Sequence, residues 1–210
     1  MQAYDREYIV VHPFSSKDYM SLTPKERANY YTWFMSVKAD REKYLCRKCA
    51  SYLNIDSSSL DYSRASLQHV WRFVLSVGTI EDFSEDTLEN AVVSDHLLKR
   101  GITAKELFLR PEKQLTQFSQ LLLLDVGMYV GDTFVNEYPS LQWGKHKLKD
   151  VNHNLPVIKG FTHMYNSNFH PVVEPVGFCH TLANVLLKPT IPDNAEEMLL
   201  MAFDNCCCNL

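Results

Sequence analysis

The chain has 210 residues, 46% of them hydrophobic and 22% charged, a soluble-globular balance with enough apolar material for one sizeable core. A net charge of −4 and a pI near 6.0 argue against nucleic acid as a partner, because neutralising phosphates takes a clustered positive field. No apolar run approaches the roughly 20 residues that cross a bilayer, and the start, MQAYDREYIVV, has no h-region or small-residue cleavage site, so the expectation is a cytoplasmic protein without a signal peptide or membrane partner.

Residues 7–12, EYIVVH, read as a short strand or extended arm closed by Pro13. A long helix starts after Thr23, which has capping-box spacing to Glu26 and Pro24 at the first helical position. Tyr30, Trp33, Phe34, Val37, Tyr44 and Tyr52 follow at helical spacing and predict an aromatic core face. Cys46 and Cys49 form a C-x-x-C inside this helix. With no knuckle turn around them and no second C-x-x-C, they read as reduced thiols and not as a zinc or redox site. Cys179 and the row Cys206, Cys207 and Cys208 carry the same reading.

A second helix is expected over 64–77, capped by Ser63, closed by Gly78 and packed through Leu67, Val70, Trp71, Val74 and Leu75. Residues 81–95 then hold Glu81, Asp82, Glu85, Asp86, Glu89 and Asp95 with no lysine or arginine. Such a run is either a solvated face or a docking surface for a basic partner. A further helix can run through Leu88, Val92 and Leu98 to Lys99-Arg100-Gly101.

The next helix is long, from about Pro111 to Glu137. At 100° per residue, Asp125, Tyr129, Asp132 and Asn136 fall on one polar stripe, while Leu123, Leu124, Met128, Phe134 and Val135 spread over the other side. Gly127 and Gly131 lie in the middle of that apolar arc. Each glycine costs about 1 kcal/mol against alanine in a helix interior, so the pattern predicts close approach of another backbone, of a helix or of the sheet, at these two positions. Beyond the helix, LQWGKHK, LPVIKGFT and HPVVEPV are strand candidates, and Trp143 is placed to anchor the first of them. Residues 178–187 and the segment after Pro192 predict C-terminal helices.

The sequence has no G-x-x-x-x-G-K-[ST], no G-x-G-x-x-G, no G-x-S-x-G and no H-E-x-x-H. His146, His153, His163, His170 and His180 recur at gaps of seven, ten, seven and ten, which match neither helical nor strand spacing for metal ligands. The basic cluster Lys145, His146, Lys147 and Lys149 fits a strand end or turn. Asp125 and Asp132 are seven residues apart, roughly 10 Å along a helix, too far to share one proton.

Three stretches, LTPKERANYYTWFMSVKADREKYL, LDYSRASLQHVWRFV and DVGMYVGDTFVNEYPSLQW with the following NLPVIKGF, resemble the pattern of a loose group of uncharacterised bacterial cytosolic proteins. In that group a helical front half leads to a Y-x-G-[DE] helix, a tryptophan and a Pro-Val strand. Here Asp132 stands where glutamate is commoner. Some members resemble immunity proteins of bacterial toxin systems, and the resemblance implies that kind of function.

The expectation is therefore one α+β domain over 1–210. A helical part spans about 22–138, with a long central helix packed on a small antiparallel sheet; a strand-rich part covers about 139–176, and C-terminal helices 177–210. Function leans away from an enzyme and towards a binding protein of the immunity type that covers a protein partner, with no cofactor, no metal, no nucleic acid and the oligomeric state open. The candidate partner-binding residues are Glu85, Asp86, Glu89, Asp125, Tyr129, Asp132 and Asn136. The alternative is a metal-assisted hydrolase using Asp125, Asp132 and the His146–His180 group.

Overall fold

Helix α1 (Pro24–Leu53) begins where the capping box places it. The Glu26 N–H donates to Thr23 Oγ1 at 3.3 Å and the Thr23 N–H to Glu26 Oε2 at 2.7 Å, so two amide donors of the first turn are satisfied reciprocally. These elements belong to a computed structural model that describes residues 22–82, 113–147, 153–161 and 171–207. The strand expected at 7–12, the helix through Leu88–Leu98, and Glu85, Asp86 and Glu89 lie outside the described residues.

Along α1, Tyr30, Phe34, Tyr44, Leu45 and Cys49 are buried. Tyr52, expected in the core, is 54% exposed. It lies on the side of Phe34 but five turns further along the helix, where its ring meets the edge of Phe73 at 5.5 Å. The chain leaves α1 through Asn54, whose left-handed backbone (φ 53°) directs its N–H to the Ala50 carbonyl.

Helix α2 (Ser66–Val77) starts slightly later than expected, with Ser63 Oγ accepting the Ser66 N–H at 3.3 Å. Its buried face is Leu67, Val70, Trp71, Phe73 and Val74, and the Trp71 indole donates to the Ala195 carbonyl at 2.8 Å.

Strands β1 (Ile80–Asp82) and β2 (Lys113–Leu115) pair antiparallel, Ile80 opposite Leu115. The central helix α3 (Gln117–Glu137) therefore begins later than the expected Pro111. The reason is a knot of hydroxyls. Thr116 caps the helix through the Ser119 N–H, and Ser119 Oγ accepts the Thr79 N–H and donates to the Thr79 carbonyl, each at 2.7 Å. That knot ties the helix start to the end of α2 and leaves 113–115 extended beside β1.

Strands β3 (Gln142–Lys145) and β4 (Pro156–Lys159) form a second antiparallel pair, with Trp143 opposite Ile158. Among its described residues, 171–176, HPVVEPV contributes less sheet than its composition predicts: Val173 alone bridges Ile158. Glu174 then accepts the N–H groups of Val176 and Gly177 and so starts helix α4 (Pro175–Ala183), which ends the extended stretch. A 3-10 turn (Asn184–Leu187) continues α4, and helix α5 (Met198–Cys207) closes the described chain. The architecture is α+β, with a long central helix, two small antiparallel strand pairs and a C-terminal helix.

From Leu122 to Gly131, helix α3 is enclosed on every side. Leu122, Leu123, Val126, Met128, Val130 and Phe134 are at most 1% exposed, and so are Asp125 and Tyr129. Phe134 stacks on Phe203 of α5 at 4.2 Å and meets Phe161 edge-on at 5.8 Å. Each glycine seats a neighbour, a backbone at Gly127 as expected and a side chain of the strand β3 at Gly131. A Cβ on Gly127 would come within 2.7 Å of Val176 Cα at the start of α4, and one on Gly131 would run into the Trp143 indole.

Glycine to alanine inside a helix ordinarily stabilises by roughly 0.4–1 kcal/mol. At Gly127 and Gly131 the sign should reverse, with thermal melts of Gly127→Ala and Gly131→Ala lowered by several degrees, since 1 kcal/mol moves Tm by about 2–4 °C at this size. Gly127→Ala should be the harder to rescue, because the obstruction there is backbone. Melts equal to or above wild type would refute the close-approach account.

Candidate functional site

The polar stripe of α3 does not face solvent along most of its length; it meets α1 and the loop before α2. Asp125 is wholly buried and receives the Arg41 guanidinium in two bonds, Nε to Oδ1 at 2.5 Å and a terminal nitrogen to Oδ2 at 2.7 Å. One turn away along α1, Lys38 Nζ forms an ion pair with Asp132 and reaches Glu42 Oε2 at 3.4 Å. The Trp143 indole donates to Asp132 Oδ1 at 2.7 Å. Asp132 thus holds both a helix α1 cation and the tryptophan that covers Gly131.

Glu42 is 3% exposed. Burial first, and then the charge of Asp132, push its carboxyl from the usual 4.5 up to about 8, with Lys38 opposing. The half-buried carboxyl of Glu174 is pushed up to about 7 by burial, with the helix amides that donate to it opposing.

Tyr129 and Asn136 grip a single residue. The Tyr129 hydroxyl donates to Ser66 Oγ at 2.7 Å and accepts the Tyr62 N–H at 3.1 Å, and Asn136 Nδ2 donates to the Tyr62 carbonyl at 3.1 Å. The Tyr62 ring stacks on Tyr129 at 4.6 Å. Tyr62 sits at φ 59°, a left-handed conformation that costs a non-glycine residue roughly 1–2 kcal/mol. Three contacts from α3 hold it there. Asp125 and Tyr129 therefore lie inside the protein and offer no surface to a partner. Asp132 is partly open and Asn136 exposed, each with a bond inside the fold.

Sequence reasoning missed Lys38, Arg41, Glu42 and Tyr62. The signal lay in α1, where Lys38, Arg41 and Glu42 fall on one helix face among aromatic residues, a face whose charges need partners once it is buried. Among the described residues the hydrolase constellation is not assembled. Asp125 is held by Arg41; His146 and His153 lie at the β3–β4 turn and His180 on α4; His163 and His170 lie outside the described residues. Among the described residues, no three of His, Cys, Asp and Glu come close enough to hold a metal ion.

Beside the seam, the C-terminal half of α1 and the loop after it border an open groove of about 740 Å³. Cys46 and Tyr62 line it, and burial raises the Cys46 thiol to about 11. Comparison with protein families, curated proteins and solved structures finds no match.

Removing one partner of a buried ion pair costs about 3–5 kcal/mol, whereas replacing both with apolar groups is often neutral or better. Asp125→Ala should therefore lose that much in urea unfolding, and Arg41→Met with Asp125→Leu should recover most of it. Glu42 gives a pH signature. The unfolded chain releases its proton near 4.5 and the folded chain near 8, so stability is complete below 4.5 and falls as pH rises between the two values. Glu42→Gln should melt above wild type at pH 8, with the gap closing towards pH 4.5; a constant gap would disprove the assignment.

Proposed function

We propose that the protein is a non-enzymatic binding protein of the immunity type, acting in the cytoplasm by covering a protein partner. The observation that carries this reading is the enclosure of the groups best suited to chemistry. Asp125 is closed into a bidentate ion pair, and a carboxylate so held is poorly placed to exchange protons with a substrate. The Cys46 thiol, raised to about 11, is protonated at neutral pH and a weak nucleophile.

The acidic segment supplies the partner-facing charge in this reading. Glu85, Asp86 and Glu89 stand in a stretch without lysine or arginine, and such a field steers and orients a basic protein surface. The net charge of −4 points away from nucleic acid, and among the described residues no helix is long and apolar enough to cross a membrane.

The test is affinity capture from the source organism, followed by calorimetry with the captured protein. Reversal of Glu85, Asp86 and Glu89 to lysine should weaken binding by about tenfold or more and leave Tm unchanged. Unchanged affinity would remove the segment as the interface. Zinc or manganese retained stoichiometrically through dialysis would overturn the non-enzymatic reading.

A further inference from the structure

The groove beside α1 has two walls of different character. Lys43 and Arg47, four residues apart and both exposed, stand on the α1 wall, since positions four apart share a helix face. Ala50 follows on the same helix, and the loop after it contributes Ile55, Leu60 and Tyr62 together with Asn54 and Ser57. The helix wall therefore carries the cations and the loop wall most of the apolar side chains. A volume of about 740 Å³ is in the range of small-molecule sites, which pair an apolar lining with a few placed polar groups.

We propose that this groove binds a small amphipathic carboxylate, its head on Lys43 and Arg47 and its apolar body on Ile55, Leu60 and Tyr62. Charge complementarity selects the occupant: among the described residues that line the groove, two are cations and none carries a carboxylate. The loop's own acids are turned onto their backbone, Asp56 accepting the Ser58 N–H at 2.8 Å and Asp61 the Ser63 N–H at 3.0 Å. Burial keeps the Cys46 thiol neutral at pH 7, and the Glu42 carboxyl behind it, near 8, is largely uncharged as well. Asp56 and Asp61 stay ionised in their backbone bonds but do not line the groove, so its wall carries only the two cationic charges.

Both walls are also held in place. The Arg47 guanidinium lies over the Tyr44 ring at 5.4 Å, a cation–π contact that restrains it. Tyr62 is fixed by Tyr129 and Asn136. An ordered site loses less entropy on binding. The site does not involve Glu85, Asp86 or Glu89, so it and the partner-covering reading stand or fall separately.

The probe is decanoate, titrated below its micellar concentration into the full chain labelled with nitrogen-15, with decylammonium as the charge-inverted control. Decanoate should saturate with amide shifts concentrated at Cys46, Arg47, Ala50, Ile55 and Tyr62, and decylammonium should not. Lys43→Glu with Arg47→Glu should weaken decanoate by about tenfold at unchanged Tm, and Lys43→Gln with Arg47→Gln should fall between. Equal binding of the two amphiphiles, shifts elsewhere, an absence of saturable shifts, or full affinity in the double variants would each overturn the site.

Discussion

Enclosing the middle of α3 on every side obliges the protein to neutralise Asp125 inside its core, and most of the arrangement around α1 follows from that obligation. A lone ionised carboxylate at 0% exposure would cost many kcal/mol. Arg41 meets it with a planar fork that matches both oxygens. Once Arg41 is fixed on Asp125, α1 has one axial position and one rotation relative to α3. That setting brings Lys38 to Asp132 and Phe34 against Trp143, ring centres 5.4 Å apart. A buried pair of this kind is weak evidence for stability and better evidence for register.

The glycines act on the opposite side of the same helix. Gly131 admits the Trp143 ring, and Asp132, the next residue, bonds its indole nitrogen. Gly127 admits the first turn of α4, which Glu174 caps. At each seat a carboxyl fixes the group that the glycine admits: Asp132 from the residue after Gly131, and Glu174 from the head of the helix seated on Gly127. Sheet and C-terminal half are thus docked by paired devices: an absent side chain for space and an acid for orientation.

What was legible in the sequence was whatever is written locally. The capping box at Thr23 and Glu26, the Gly78 stop and the place of Gly127 and Gly131 on the helix all depend on residues a few positions apart. The stripe of Asp125, Tyr129, Asp132 and Asn136 was visible as a stripe but not as to what it faces. Angular spacing separates two sides of a helix; it does not say whether the polar side meets water or another element. The partners that decide this, Arg41 and Lys38, stand 84 and 94 residues away. The start of α3 was misplaced for a similar reason, because hydroxyl bonds to Thr79 outweigh a helical pattern that runs on to Pro111.

The stripe therefore matters to the surface indirectly. Tyr129 and Asn136 reach through to the backbone of Tyr62 and hold it in a conformation that a tyrosine does not adopt unaided. Strain of this kind persists only when its surroundings over-determine it, and here two side chains from one rigid helix do so. The consequence is that the loop wall of the groove is positioned by the core, while Lys43 and Arg47 are positioned by α1. Since the Arg41–Asp125 pair registers α1 against α3, the same pair sets the distance between the cationic wall and the apolar one. The buried charge of the core and the exposed charge of the groove are two ends of one geometric constraint.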